Sequence, residues 1–226
     1  VLPHSIATLW QATFKKLEER CPLALRVLES LTFCEPEGIP YELLEGLFNE
    51  FDPSATSELR QILIDYELLQ EREMQQDGEV YKHLSMHRLL QQVVQQAAGK
   101  EYLNSYESTS ILGQKSLNPL LQVLHKCIPN VKPVPDKNWE QARLYVPHVV
   151  SFLAKTGKNL EKSILLAELL DCMGSYSEKV QCNYPQALKY YEQALAINRI
   201  FYIGNHPAIA ASLNNLASAH RGLGKH

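Results

Sequence analysis

Residues 183–197 read NYPQALKYYEQALAI. Within this stretch, Ala187, Tyr191 and Ala194 follow one another at intervals of four and three residues, so they share one face of a helix. Small side chains at a helix crossing let two backbones approach closely, and the aromatic ring fills the gap between them. The stretch therefore predicts one helix of a tightly packed helical pair.

Two further helices flank this stretch. Residues 166–180 predict the helix that precedes it, with Gly174 near its centre, and SLNNLASAHRGLGKH (212–226) predicts the helix that follows. Asn205 is the expected cap of the following helix, and Pro207 suits its first turn. The end of the chain is therefore expected to contain three consecutive helices.

The flanking helices repeat at a fixed interval. His226 lies 42 positions after Tyr184 at the same repeat position, and Ala217, the small residue of the last helix, lies 43 positions after Gly174 because the first repeat has one extra residue between its helices. A period of 42, together with GNHPAIAASLNNLA at residues 204–217, resembles the kinesin-light-chain type of tetratricopeptide repeat. The resemblance implies an α-α superhelical array over residues 161–226, with one complete repeat and one partial repeat.

The same resemblance implies a binding surface. Arrays of this type bind a protein or peptide on the concave face, which the first helix of each repeat lines. By repeat position, the side chains expected on that face are Asp171, Ser175, Asn214, Asn215, Ser218 and Arg221. Amide side chains suit such a face because they both donate and accept hydrogen bonds. A solvated polar face is the alternative, and self-association through the incomplete repeat end is a further expectation.

A different pattern fills residues 1–99. Apolar residues at helical spacing predict helices over residues 6–17, 22–32, 41–48, 58–69 and 87–98. The dipeptide Asp77-Gly78 favours a tight turn, so residues 71–86 predict a two-stranded β-hairpin. This order of helices and hairpin predicts a winged-helix-like domain, in which the helices bury their apolar stripes against one another.

Residues 100–160 are predicted to be a helical spacer. Helices are expected over residues 101–112, 117–127 and 139–155. Three prolines in residues 128–138 predict a loop, because proline removes a backbone donor and restricts its neighbour. Pro147 is expected to kink or break the last of these helices.

Residues 5–96 are similar to the winged-helix segment that follows the nucleotide-binding core in NB-ARC/STAND NTPases. The motif that carries the similarity is Met86-His87-Arg88, which matches the first two residues of the family's Met-His-Asp motif. The resemblance implies that His87 contacts the phosphate of bound ADP in the full-length protein. Arg88 departs from the family aspartate, which puts that residue's role in doubt. The residues themselves also allow His87 to cap or pack at a strand-to-helix junction.

Several functional classes find no support in the sequence. The chain lacks a G-x-x-x-x-G-K-[ST] phosphate-binding motif, and it has no catalytic or metal-ligand signature. We therefore expect no enzyme activity and no cofactor, with ADP or ATP relevant only if an NTPase domain precedes Val1. Acidic residues outnumber basic ones across residues 57–83, which argues against nucleic-acid binding.

The cysteines and the hydropathy of the sequence indicate in which cellular compartment the protein is expected. Five widely spaced cysteines predict reduced thiols, and no apolar run has the length that a membrane span needs. A cytoplasmic protein without a membrane partner is therefore expected.

The favoured function is a non-enzymatic interaction and regulatory fragment of a STAND-type signalling NTPase. Two alternatives stay open, a DNA-binding winged-helix transcription regulator with a repeat-type effector domain and a host-targeting bacterial effector adaptor. The expected fold class is mainly α, with a small β-hairpin before the repeat array.

Overall fold

A computed structural model describes residues 4–54, 58–76, 79–95, 109–129, 131–132, 137–157 and 160–224. The chain divides into two compact units. The first comprises Val1–Val123 with Pro147–Gly157, and the second comprises Leu124–Val146 with Lys158–His226. The fold is mainly helical, with one small antiparallel hairpin and a tetratricopeptide-like helical array, which confirms the predicted fold class. The predicted boundaries of the domains stay a prediction.

The first part of the chain alternates short helices with the hairpin. Its elements are α1 (His4–Arg20), α2 (Pro22–Leu31), α3 (Tyr41–Phe51), α4 (Glu58–Asp65), β1 (Gln70–Gln76), β2 (Glu79–Ser85) and α5 (residues 88–95). The strands pair from Gln70 opposite Ser85 to Gln76 opposite Glu79, so the predicted hairpin is confirmed. The predicted turn residues Asp77 and Gly78 lie outside the described residues.

A pair of backbone hydrogen bonds joins the hairpin to the loop that precedes α3. The backbone N–H groups of Ile39 and Leu84 each donate to the carbonyl oxygen of the other, both at 2.8 Å. Both side chains are fully buried. They join a core of leucines from α1 to α4 that are likewise fully buried, namely Leu17, Leu28, Leu31, Leu43, Leu44, Leu47 and Leu63. Burial of these apolar side chains provides the main stabilisation of this unit.

The predicted helix over residues 58–69 is wrong in its last turn. The chain leaves α4 after Asp65, and Glu67 adopts a left-handed backbone conformation with φ of 55°. The N–H groups of Leu68 and Leu69 then both donate to the carbonyl oxygen of Leu63, at 2.9 and 3.1 Å. This tight turn buries both leucines, and that burial outweighs the helical preference of the local sequence.

Two prolines lie inside continuous helices. Pro119 falls within α6 (Thr109–Cys127), so the predicted interruption between residues 112 and 117 is absent from this helix. Pro147 falls within α7 (Lys137–Thr156), so of the predicted kink or break, the break is absent and the kink stays a prediction. An interior proline costs about 3 kcal/mol, but buried side chains on both sides of Pro147, among them Ala142 and Phe152, hold the helix together.

Three helices end the chain, α8 (Ile164–Lys179), α9 (Tyr184–Phe201) and α10 (Pro207–Gly222). Helix α9 packs against both α8 and α10. A Cβ atom added at Gly174 would overlap the ring of Tyr191, and one added at Gly222 would overlap the ring of Tyr184. The two glycines therefore allow a tyrosine ring of α9 to lie directly against each neighbouring helix.

The helix caps show the repeat directly. Ser163 Oγ accepts a hydrogen bond from the N–H of Leu166 at the start of α8, at 3.1 Å. At the start of α10, His206 Nδ1 accepts from the N–H of Ala208 at 3.2 Å. The two caps are 43 positions apart, which is the interval between Gly174 and Ala217. The cap of α10 is thus His206, and the expectation of Asn205 is wrong by one residue.

Candidate functional site

The polar residues of interest lie on helices α8 and α10, which contact one another. Asn215 Nδ2 donates to Asp171 Oδ1 at 3.4 Å. Ser218 Oγ donates to Glu178 Oε1 at 2.6 Å. These two contacts join the first helix of one repeat unit to the first helix of the next. Four of the six residues predicted for the binding face take part in this polar network or lie next to it, namely Asp171, Ser175, Asn215 and Ser218.

We refer to this surface as the α8–α10 face. It consists of Glu168, Asp171, Ser175 and Glu178 from α8, with Asn214, Asn215, Ser218 and Arg221 from α10. The four α8 residues follow one another at intervals of three or four positions, so they form one stripe along the helix. Asn214 and Arg221 are exposed to solvent, whereas Asp171, Ser175, Asn215 and Ser218 are half-buried.

The hydroxyl group of Tyr191, on α9, also takes part in this network. Its hydroxyl donates to Glu178 Oε2 at 2.9 Å, and its oxygen lies 3.4 Å from Ser175 Oγ. Burial raises the pKa of the Tyr191 hydroxyl, and the hydrogen bond to Glu178 raises it further. Tyr191 therefore stays protonated and serves as a fixed donor to Glu178. The Glu178 carboxylate thus accepts one hydrogen bond on each oxygen, from Tyr191 and from Ser218.

Asp171 is the electrostatically unusual member of the face. Burial raises the pKa of its carboxyl group to about 6, the hydrogen bond from Asn215 opposes that rise, and the nearby Glu168 carboxylate adds to it. Glu168 is in turn 3.4 Å from His125 Nε2, an ion pair only when that histidine is protonated. The charge on Asp171 consequently changes in the weakly acidic range rather than near its usual value.

Sequence reasoning missed Glu178 and Tyr191 as members of the network. Glu178 stands at the repeat position of Arg221, 43 residues earlier, and Arg221 was among the predicted residues. The signal was therefore present in the repeat alignment. The role of Tyr191 depends on the approach of α9 to Gly174, which brings its hydroxyl beside Glu178.

His87, the predicted nucleotide contact, lies in the first unit. It stands directly before α5, and its Nδ1 accepts a hydrogen bond from the N–H of Leu89 at 3.2 Å. This contact places the ring proton of the neutral imidazole on Nε2, where it is a donor. The side chain is exposed, while the preceding Met86 is buried and its N–H donates to the carbonyl oxygen of Pro36 at 2.7 Å.

Among the described residues, no group of three or more histidine, cysteine, aspartate or glutamate side chains is arranged to hold a metal ion. None of the helices in the described part of the chain is long and apolar enough to cross a membrane.

Comparison with known proteins gives a match for one part of the chain only. No curated protein and no solved structure matches the chain. Residues 165–226 match the family model of the tetratricopeptide repeat, and this segment coincides with α8, α9 and α10. The segment that bears the α8–α10 face is therefore a tetratricopeptide-like helical array.

Proposed function

We propose that this chain is a non-enzymatic interaction fragment whose α8–α10 face binds a peptide segment of a protein partner. The match of residues 165–226 to the tetratricopeptide repeat supports a protein partner. The observation that carries the proposal is the pair of contacts Asn215 to Asp171 and Ser218 to Glu178. They hold the first helices of two successive repeat units side by side, as a shared face requires.

The exposed residues of the face suit recognition of a peptide backbone. Asn214 is exposed, and its amide can donate to a carbonyl group and accept from an N–H group of the same peptide. Arg221 is also exposed, and its guanidinium offers only donors. The half-buried residues beneath them are already hydrogen-bonded, so they present a preorganised surface that loses little conformational entropy on binding.

A peptide-display selection on the whole chain tests this proposal. Random peptides that bind the chain should lose affinity by about tenfold or more when Asn214→Trp fills the face with a large side chain. Lys189→Trp is the matched control, because Lys189 is exposed on α9, away from the face. Selection of no peptide at all, or equal loss with both variants, would show that the α8–α10 face is not the binding surface.

We also propose a wider setting for the first unit, as part of a STAND-type NTPase of the cytoplasm. The order of α1 to α4, the hairpin and α5 supports a winged-helix-like domain. The exposed His87, with Nδ1 occupied by Leu89, supports a role for Nε2–H as a donor to an ADP phosphate. In a full-length protein with a phosphate-binding loop, His87→Ala should speed ADP release, and unchanged release would remove this role.

Self-association through the end of the array is a second proposal about the partner. The apolar side chains of Ile200, Phe201, Ile203 and Leu213 are exposed near the end of α9 and along α10. Ile200, Phe201 and Ile203 lie within four consecutive positions, and clustered exposed apolar residues are typical of interaction surfaces. Sedimentation of the chain over a range of concentrations should show a dimer that Leu213→Lys dissociates. A monomer at all concentrations would contradict this proposal.

A further inference from the structure

We propose that the α8–α10 face selects a cationic peptide segment, in which lysine or arginine side chains lie over α8. This inference rests on the proposed function and names the chemistry of its partner. The face carries three carboxylates, Glu168, Asp171 and Glu178, against a single guanidinium, Arg221. A partner with complementary charge would associate faster and be preferred over neutral or acidic sequences.

Two of the three carboxylates of the face, Asp171 and Glu178, have no cationic partner among the described residues. Asp171 is hydrogen-bonded by a neutral amide and Glu178 by two neutral hydroxyl groups. In the described part of the chain, no lysine, arginine or histidine forms an ion pair with either carboxylate. A half-buried carboxylate without an opposite charge is destabilised by loss of solvation, and a bound ammonium or guanidinium group would offset that loss.

The acidic character belongs to this face and not to the neighbouring helix. The exposed charged residues of α9 are Lys189, Glu192 and Arg199, which carry a net positive charge. Lys179, which follows Glu178 on α8, donates its Nζ to the carbonyl oxygen of Val131 at 3.1 Å. A cationic segment would therefore be attracted to the α8 stripe and repelled by the outer surface of α9.

The carboxylates of the face lie on α8 and its guanidinium group lies on α10. We therefore expect a bound segment to adopt one preferred orientation. Glu178 and Arg221 occupy equivalent positions in successive units but carry opposite charges. Lysine or arginine side chains of the partner would contact the carboxylates of α8. Arg221 would then face backbone carbonyl groups or an acidic residue of the same segment.

Composition of the selected peptides is the decisive test. Peptides selected from an unbiased random library by the wild-type chain should be enriched in lysine and arginine over aspartate and glutamate. The double variant Asp171→Asn/Glu178→Gln should lose this enrichment and bind the wild-type-selected peptides about fivefold or more weakly. Glu192→Gln on α9 is the matched control for loss of an exposed carboxylate, and thermal melting checks that each variant is folded.

The outcomes separate the two proposals. Peptides that Asn214→Trp blocks but that show no basic enrichment would overturn the charge inference and leave the proposed function intact. Basic peptides that bind Glu192→Gln as weakly as the double variant would also overturn it, because attraction would then be non-specific. If the library yields no binder, both proposals fail together.

The affinity of a selected peptide that contains no histidine, measured over a range of pH, tests the charge inference independently. The groups around Asp171 that ionise or carry charge are Glu168 and Cys172 on α8 and Tyr191 on α9, with His125 next to Glu168. The pKa of Asp171 is about 6, so its charge is lost as the pH falls through that value. Affinity should fall between pH 7.5 and about pH 5, and fall less in Asp171→Asn. Equal falls in both proteins would contradict a role for this carboxylate.

Discussion

Asn215 donates its side-chain amide to the Asp171 carboxylate at 3.4 Å, and this contact joins the first helices of two successive repeat units. The residues are 44 positions apart in the chain. They meet because each lies on the first helix of its repeat unit, and these two helices, α8 and α10, contact one another. The relationship makes Asp171 both a structural link between units and a charged member of the candidate binding face.

The first prediction concerns pH and stability. The pKa of Asp171 rises from 3.8 to about 6 on folding, so folding favours its protonated form. The stabilisation from protonation is present below about pH 4 and is lost as the pH rises towards 6. Asp171→Asn should therefore increase the free energy of unfolding at pH 7, on the order of 1 kcal/mol after solvent screening. Urea unfolding at pH 4 should show little difference, and a constant difference across this range would contradict the assignment.

The second prediction concerns the tyrosine beneath the face. Tyr191→Phe removes the donor to Glu178 Oε2 and leaves that oxygen without its partner. The free energy of unfolding should fall by about 1–2 kcal/mol, as expected when a partly buried hydrogen bond to a carboxylate is lost.

The neighbouring Tyr190 supplies the control. It is also buried, but its hydroxyl makes no hydrogen bond within the part of the chain that the structure describes. Tyr190→Phe should change the free energy of unfolding by less than about 0.5 kcal/mol. Equal effects of the two substitutions in urea unfolding would show that the Tyr191 hydroxyl contributes nothing particular.

The third prediction concerns the close approach of α8 and α9. Glycine to alanine inside a helix ordinarily stabilises a protein, by up to about 1 kcal/mol. Gly174→Ala should instead destabilise by about 1–3 kcal/mol, because the new methyl group overlaps the Tyr191 ring. In the background of Tyr191→Leu, the same substitution should cost much less. Thermal unfolding of the four proteins measures this coupling, and additive effects would argue against the contact.

The fourth prediction concerns the start of α10. His206 Nδ1 accepts from the N–H of Ala208, whereas Asn205 lies one residue outside the cap position. His206→Ala should lower the free energy of unfolding by about 1 kcal/mol, and Asn205→Ala should leave it nearly unchanged. The His206 ring also stacks on Tyr202, with ring centroids 3.7 Å apart, so Tyr202→Leu should reduce the effect of removing the histidine. A larger loss of unfolding free energy with Asn205→Ala than with His206→Ala would show that Asn205 is the cap, as the sequence predicted.

The repeat array was largely predictable because its information is local and periodic. Gly174, Ala187 and Tyr191 mark a helix crossing by their size and spacing alone, and the crossing is confirmed. Gly174 and Ala217 are 43 positions apart in the sequence. The helix caps Ser163 and His206 are separated by the same interval.

The errors arose where tertiary packing decides the backbone. The left-handed turn at Glu67 has no local signal, because it exists to bury Leu68 and Leu69 against the rest of the unit. Pro147 remains inside a helix because packing on both sides of it outweighs the lost hydrogen bond. The link from Tyr191 to Glu178 joins different helices, so spacing along either one could not reveal it.

Amide hydrogen exchange in the presence of a library-selected peptide shows whether the α8–α10 face receives that peptide. Added peptide should slow exchange within residues 168–178 and 214–221 and leave exchange on the outer surface of α9, around Lys189 and Glu192, unchanged. Protection confined to α9 or to the first unit would show that the peptide binds elsewhere and that the α8–α10 face is not its site.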